Sequence, residues 1–92
     1  MTSIFVVRDL FKLAGDVTVL ACEGESDLSS FVGRTGQLTN GGELLQSIRL
    51  SGERRMLNQA RPKSFRAFET LENVRLSVDE AQSGTWVLTL AD

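Results

Sequence analysis

Glycines at positions 15, 24, 33, 36, 41, 42 and 52 cut the first 52 residues of this chain into short pieces. Each glycine inside a helix costs about 1 kcal/mol relative to alanine, so a sequence interrupted this often favours extended segments joined by turns. The pieces between the glycines agree. Ile4 to Leu13 is dominated by β-branched and aromatic residues before Ala14-Gly15-Asp16 interrupts it, which reads as a strand followed by a turn. Val17 to Cys22 alternates, with Val17, Val19 and Ala21 facing one way and Thr18, Leu20 and Cys22 the other; it pairs antiparallel with the first strand across Gly15-Asp16.

A polar loop follows, Glu23-Gly24-Glu25-Ser26-Asp27. Its three carboxylates lack the spacing and the bidentate glutamate of a calcium-binding loop, and it reads as a solvated turn. After Phe31-Val32-Gly33, Thr35 to Thr39 forms a short third strand that ends at Asn40-Gly41-Gly42, a hairpin signal because a type I′ turn needs φ > 0 at both central residues. The fourth strand starts near Glu43, where Leu44, Gln46, Ile48 and Leu50 alternate with Leu45, Ser47 and Arg49. Gly52-Glu53 reads as a bulge or turn, and Asn58 to Lys63, with the only proline at position 62, as a connection. Phe65, Phe68 and Leu71 recur at helical spacing, while Val74, Leu76 and Val78 alternate as a strand, so residues 64–72 fit either a helical turn or a strand. Ala81 to Gly84 makes another turn. Thr85 to Leu90 is the last strand, with Trp86, Leu88 and Leu90 on one side.

About six short strands at this spacing predict a single all-β domain over residues 1–92, a small closed barrel or a small sandwich, with at most one short helical turn. Closure removes strand edges that would otherwise recruit other chains. With 41% apolar and 24% charged residues, the composition is that of a globular chain rather than a disordered one.

Composition also narrows the chemistry. The chain has no histidine and one cysteine, so zinc and most transition-metal sites lose their usual ligands and a nucleophile loses its common imidazole base. No metal, cofactor or catalytic residue is expected, and the chain is read as no enzyme. Cys22, beside Val19, Leu20 and Ala21, reads as a buried small hydrophobe. A lone cysteine, no secretion signal and no apolar run near the ~20 residues that cross a bilayer place the chain in the cytoplasm.

The net charge is −2, but it is unevenly distributed. Between Glu43 and Thr70, Arg49, Arg54, Arg55, Arg61, Lys63 and Arg66 outnumber Glu43, Glu53 and Glu69, whereas both flanking thirds are acidic. The expected picture is a mildly acidic body with one basic stretch, able to orient a charged partner.

The order of these features resembles the second domain of the translational GTPases, the elongation factor Tu-like β-barrel. Phe5-Val6-Val7-Arg8-Asp9-Leu10-Phe11-Lys12-Leu13-Ala14-Gly15 is similar to that family's opening strand, where an acidic residue, an aliphatic and a phenylalanine precede a glycine turn. Val17-Thr18-Val19, Glu23-Gly24 and Phe31-Val32-Gly33 continue the likeness, and Ala81, Gly84, Val87 and Leu90 resemble the family's closing strand. The chain departs from the family at Ala14-Gly15-Asp16, where the family has Gly-Arg-Gly, at Arg34, where the family has an acid, and from Leu44 to Ala60. The resemblance implies a Greek-key barrel of about six strands, in a family whose barrel in elongation factor Tu helps to hold aminoacyl-tRNA. No Gly-x-x-x-x-Gly-Lys-Ser/Thr run is present, so nucleotide binding and GTP hydrolysis are not expected of this chain.

These readings leave a stand-alone binding module. A protein partner is expected first, in a role that mimics or competes with a translation-factor surface, an immunity or antitoxin-like role included. The alternative is an RNA-binding module that contacts tRNA or rRNA through Arg54, Arg55, Arg61, Lys63 and Arg66, with Phe65 or Phe68 stacking on an unpaired base. Trp86 is the remaining candidate: on the surface it would anchor an interface, and among Val87, Leu88 and Leu90 it would pack in the core or at the barrel end.

Overall fold

A computed structural model of the chain describes residues 2–24, 31–54 and 65–91. Within them lie seven strands and one short helix: β1 (Thr2–Leu13), β2 (Val17–Glu23), β3 (Thr35–Asn40), β4 (Glu43–Arg49), β5 (Gly52–Arg54), β6 (Phe65–Thr70), α1 (Val78–Gln82) and β7 (Trp86–Ala91). The strands form one antiparallel sheet in the order β4-β3-β7-β1-β2-β6-β5. The sheet is not closed by a backbone ladder. Its two edge strands, β4 and β5, are nevertheless consecutive in the chain, separated only by Leu50 and Ser51, so the sheet must curl until its edges approach.

That approach forms a seam. Leu50 N–H donates to Arg34 O (2.9 Å), while the next residue, Ser51, donates to Glu69 O at 2.7 Å. The chain thereby passes from the β3 side of the sheet to the β6 side within one peptide unit. Beside it, side chains stand in for ladder bonds. Thr70 Oγ1 donates to Arg49 O at 2.8 Å, Arg49 N–H donates to Glu72 Oε2, and Arg75 Nη2 donates to Leu45 O at 2.9 Å. Gln46 works in both directions, with Nε2 to Asn73 O at 3.1 Å and Oε1 from Arg75 N–H at 2.7 Å. The outward backbone groups of Arg49 and Leu45, which would otherwise be an exposed edge, are satisfied in this way.

Curling places one face of the sheet inside. Phe5, Val7, Leu10, Leu20, Cys22, Leu38, Ile48, Phe68, Trp86, Leu88 and Leu90 point into a single core, joined by Phe31, Leu50, Val74, Leu76 and Ala81 from the connections and α1. Three phenylalanines meet edge to face, with ring centroids 5.6 Å (Phe5–Phe31), 5.1 Å (Phe5–Phe68) and 5.7 Å (Phe31–Phe68) apart, the geometry favoured by the ring quadrupole.

Two bulges set which residues enter this core. Strict alternation from Phe5 and Val7 would turn Asp9 inward, yet the β1–β2 register skips Arg8, so Leu10 is 2% exposed and Arg8 is outside. In β4 the register slips at Leu45, which packs against the core and leaves Leu44 outside at 56% exposure. An extra residue in one strand reverses every later side chain.

Several expectations are corrected. Of the two readings open for residues 64–72, Phe65–Thr70 takes the strand, because Phe68, opposite Leu20 in the β2 ladder, belongs to the core while Ala67 and Glu69 lie on the other face. Gly52-Glu53 is the start of β5 rather than a bulge or turn. Residues 73–77 bury Val74 and Leu76 without joining the sheet. The helix lies later, at α1, where Ser77 Oγ accepts from Glu80 N–H and Glu80 Oε1 accepts from Ser77 N–H at 3.1 and 3.0 Å, a capping box. At the β3–β4 hairpin, Gly41 and Gly42 are the central pair, with φ of 61° and 87°, and Asn40 is the last residue of β3, paired with Glu43. Gly24 sits where the chain crosses β1: a Cβ there would lie 2.6 Å from Ile4 O.

Candidate functional site

Of Arg54, Arg55, Arg61, Lys63 and Arg66, only Arg66 has its side chain among the described residues. It lies opposite Cys22 in the β2–β6 ladder, so it faces inward. Its guanidinium stands 4.8 Å from the Phe31 centroid and 5.7 and 6.0 Å from those of Phe68 and Phe5, covering one end of the aromatic trio. Glu53 holds it bidentately, Nη2 to Oε1 at 2.6 Å and Nε to Oε2 at 3.1 Å, and Glu53 Oε1 also accepts from Phe31 N–H at 3.2 Å. With the paired side chains only 17% and 25% exposed, Arg66 is committed to closing the core, where cation–π contact and a forked ion pair reinforce each other.

Arg54 ends β5, with its side chain outside the described residues, and Arg55, Arg61 and Lys63 lie outside them altogether. Trp86 is 9% exposed and part of the core, in a strand separated from β6 by β1 and β2. Phe68 is fully buried and offers no face to a base; the side chain of Phe65 is outside the described residues. Among the described candidates, Phe68 meets Arg66 inside the core rather than at an open surface, and Trp86 stands three strands away.

Burial raises the pKa of the Cys22 thiol and keeps it protonated, with Sγ 3.7 Å from Leu20 O; it is a core side chain, not a nucleophile. Among the described residues there is no group of three or more potential metal ligands, and no helix is long and apolar enough to cross a membrane.

The surface feature that stands out is the outward face of β1, β7, β3 and β4. Residues directly opposite in a ladder share a face, so the registers trace two rows across four strands: Val6–Val87–Thr39–Leu44 and Ile4–Thr89–Gln37–Ser47. None of the eight is charged. Ile4 and Leu44 are 58% and 56% exposed at opposite sides of the face. Charge returns only at its borders, with Arg49 on β4 and the Arg8–Glu23 ion pair (3.0 Å) on the β1–β2 side. The outward position of Leu44 follows from the bulge at Leu45, while the alternation of β3 and β7 was readable from sequence. The rows were not, because they depend on β7 lying between β1 and β3, a pairing that no local pattern encodes.

No family model, curated protein or solved structure matches the chain.

Proposed function

We propose that this chain is a non-enzymatic binding module whose outward β1-β7-β3-β4 face takes a protein partner. The observation that carries this reading is the pair of uncharged rows across four adjacent strands, edged with charge. Interfaces carry this distribution, with charged residues depleted in the centre and polar groups at the rim. Two rows of four residues cover a few hundred Å², judged from strand spacings, which suits a transient contact rather than an obligate one. Cytoplasmic residence, the elongation factor Tu-like likeness and a role as mimic or competitor of a translation-factor surface belong to the same proposal. Support for the barrel part of it comes from the seam, where Thr70, Glu72, Gln46 and Arg75 span the gap between the sheet's edges.

The RNA reading loses Arg66, which Glu53 and the phenylalanines occupy. The experiment that separates the two uses the double variant Ile4→Lys/Leu44→Lys, at two exposed positions whose replacement leaves the core intact. Tagged wild-type chain is expected to capture a defined protein after cross-linking in cytosol, and the double variant to lose at least nine-tenths of that capture with an unchanged circular-dichroism spectrum. Equal capture by both chains overturns the proposal. So does salt-sensitive binding of tRNA that Arg55→Ala, Arg61→Ala and Lys63→Ala abolish.

A further inference from the structure

The β2–β6 ladder ends at the pair Thr18–Thr70. Beyond it the two strands fork: β2 is preceded by the Ala14–Asp16 turn, and the chain leaving β6 bends at Leu71 and Glu72 toward the seam. Between them lies an open cleft of about 420 Å³, within the range of small-ligand pockets. Leu13, Val17 and Leu71 supply its apolar walls, and Lys12, Asp16 and Glu72 its charges. Leu13 and Leu71 remain 40% and 63% exposed, apolar groups held in water on two sides of one concavity.

Charge selects the occupant. One ammonium and two carboxylates leave the cleft at 1 − 2 = −1, in a chain whose net charge is −2. Glu72 uses Oε2 for Arg49 N–H, while its Oε1 and both oxygens of Asp16 take no donor among the described residues. An acidic side chain entering here meets two like charges. A purely apolar one strips water from carboxylates without replacing it, which costs free energy. A long side chain with an aliphatic stem and a cationic head satisfies both halves, the stem against the leucines and the head at the carboxylates.

We propose that this cleft receives a single lysine or arginine side chain of the protein partner, an inference that rests on the protein-binding reading above and adds the chemistry of one anchor. Lys12 at the same cleft limits occupancy to one cation. All the residues that carry the selectivity are on the surface, so they can be changed without touching the core, and Asp16, at φ 61°, tolerates asparagine because that residue also adopts the left-handed region.

The test is a titration of the ¹⁵N-labelled full chain with the blocked tripeptides acetyl-Ala-Lys-Ala-amide, its arginine counterpart, and the norleucine and glutamate counterparts as controls. Saturable shifts confined to residues 12–18 and 71–73 are expected for lysine and arginine, with norleucine binding at least fivefold more weakly and glutamate not at all. Asp16→Asn/Glu72→Gln is expected to weaken lysine binding about tenfold, and Leu71→Ser about threefold. Equal binding of lysine and norleucine, indifference to the double variant, or shifts that neither saturate nor localise each overturn the proposal. Because the titration needs no natural partner, its failure alongside capture that depends on Ile4 and Leu44 sinks the cleft alone; failed capture with a localised lysine response sinks the face and leaves the cleft standing.

Discussion

The two sides of this sheet are held by different means. Where β7, β1, β2 and β6 lie side by side, backbone ladders run from strand to strand; where β4 faces residues 70–75, the bonds pass through a threonine hydroxyl, a carboxylate, a guanidinium and an amide. A ladder bond uses groups every residue carries, so it survives most substitutions. A bond through a side chain is removed by a single one. The contrast teaches that the curl of this sheet is specified by four or five particular residues, while its laddered side is specified by pattern.

The largest effect expected from this difference lies on the laddered side, in the core it carries. Phe68→Ala should cost about 3–5 kcal/mol in urea unfolding, because it empties the centre of the aromatic trio. Thr70→Val should cost less, about 1–2 kcal/mol, since it keeps the shape of a fully buried side chain and removes only the hydroxyl that joins Arg49 O to Glu72 N–H. Hydrogen exchange sharpens the comparison: in the Thr70→Val chain the amides of Arg49, Ser51 and Arg75 should exchange through local opening, while those of Leu20 and Phe68 still require global unfolding. Uniform acceleration at all five amides would show that seam and ladder open as one unit.

The smallest effect concerns Cys22, inside the laddered region. Its thiol pKa is raised by burial, so the folded chain holds the proton after the unfolded chain has released it. That contribution is complete below the ordinary thiol pKa of about 8.5 and declines as pH rises above it, by at most about 1.4 kcal/mol per pH unit. Unfolding free energies measured from pH 8 to 9 should therefore fall less steeply in Cys22→Ala than in the parent. Parallel slopes would mean that the thiol ionises equally in both states.

Much of the laddered side was legible in the residues. β1, β2, β3 and β7 fall where alternation and glycine placed them, because turn chemistry and a half-buried face act within a few residues, whereas in β4 the bulge at Leu45 turns Leu44 away from the Ile48 face that alternation assigned it. The seam was not legible. Phe65, Phe68 and Leu71 fit a helical turn and a strand equally, because period three and a strand with a departing end look alike over seven residues; only the ladder to β2 decides. The capping pair Ser77 and Glu80 was visible in the chain, yet Val74, Leu76 and Val78 masked it with their alternation. For the basic stretch, composition counted charge but not direction. Arg66 and its partner Glu53 both face inward, and nothing local to either residue marks that, since it follows from β5 joining β6 in register.

Thr2 and Ala91 are ladder partners. Polypeptide thus arrives at and departs from the sheet at neighbouring points, about 5 Å apart by the geometry of an antiparallel pair. As a cassette, the segment can be spliced into an exposed loop of an unrelated host with short tethers, leaving the host's own backbone path almost undisturbed and presenting both the uncharged rows and the cleft on a rigid mount.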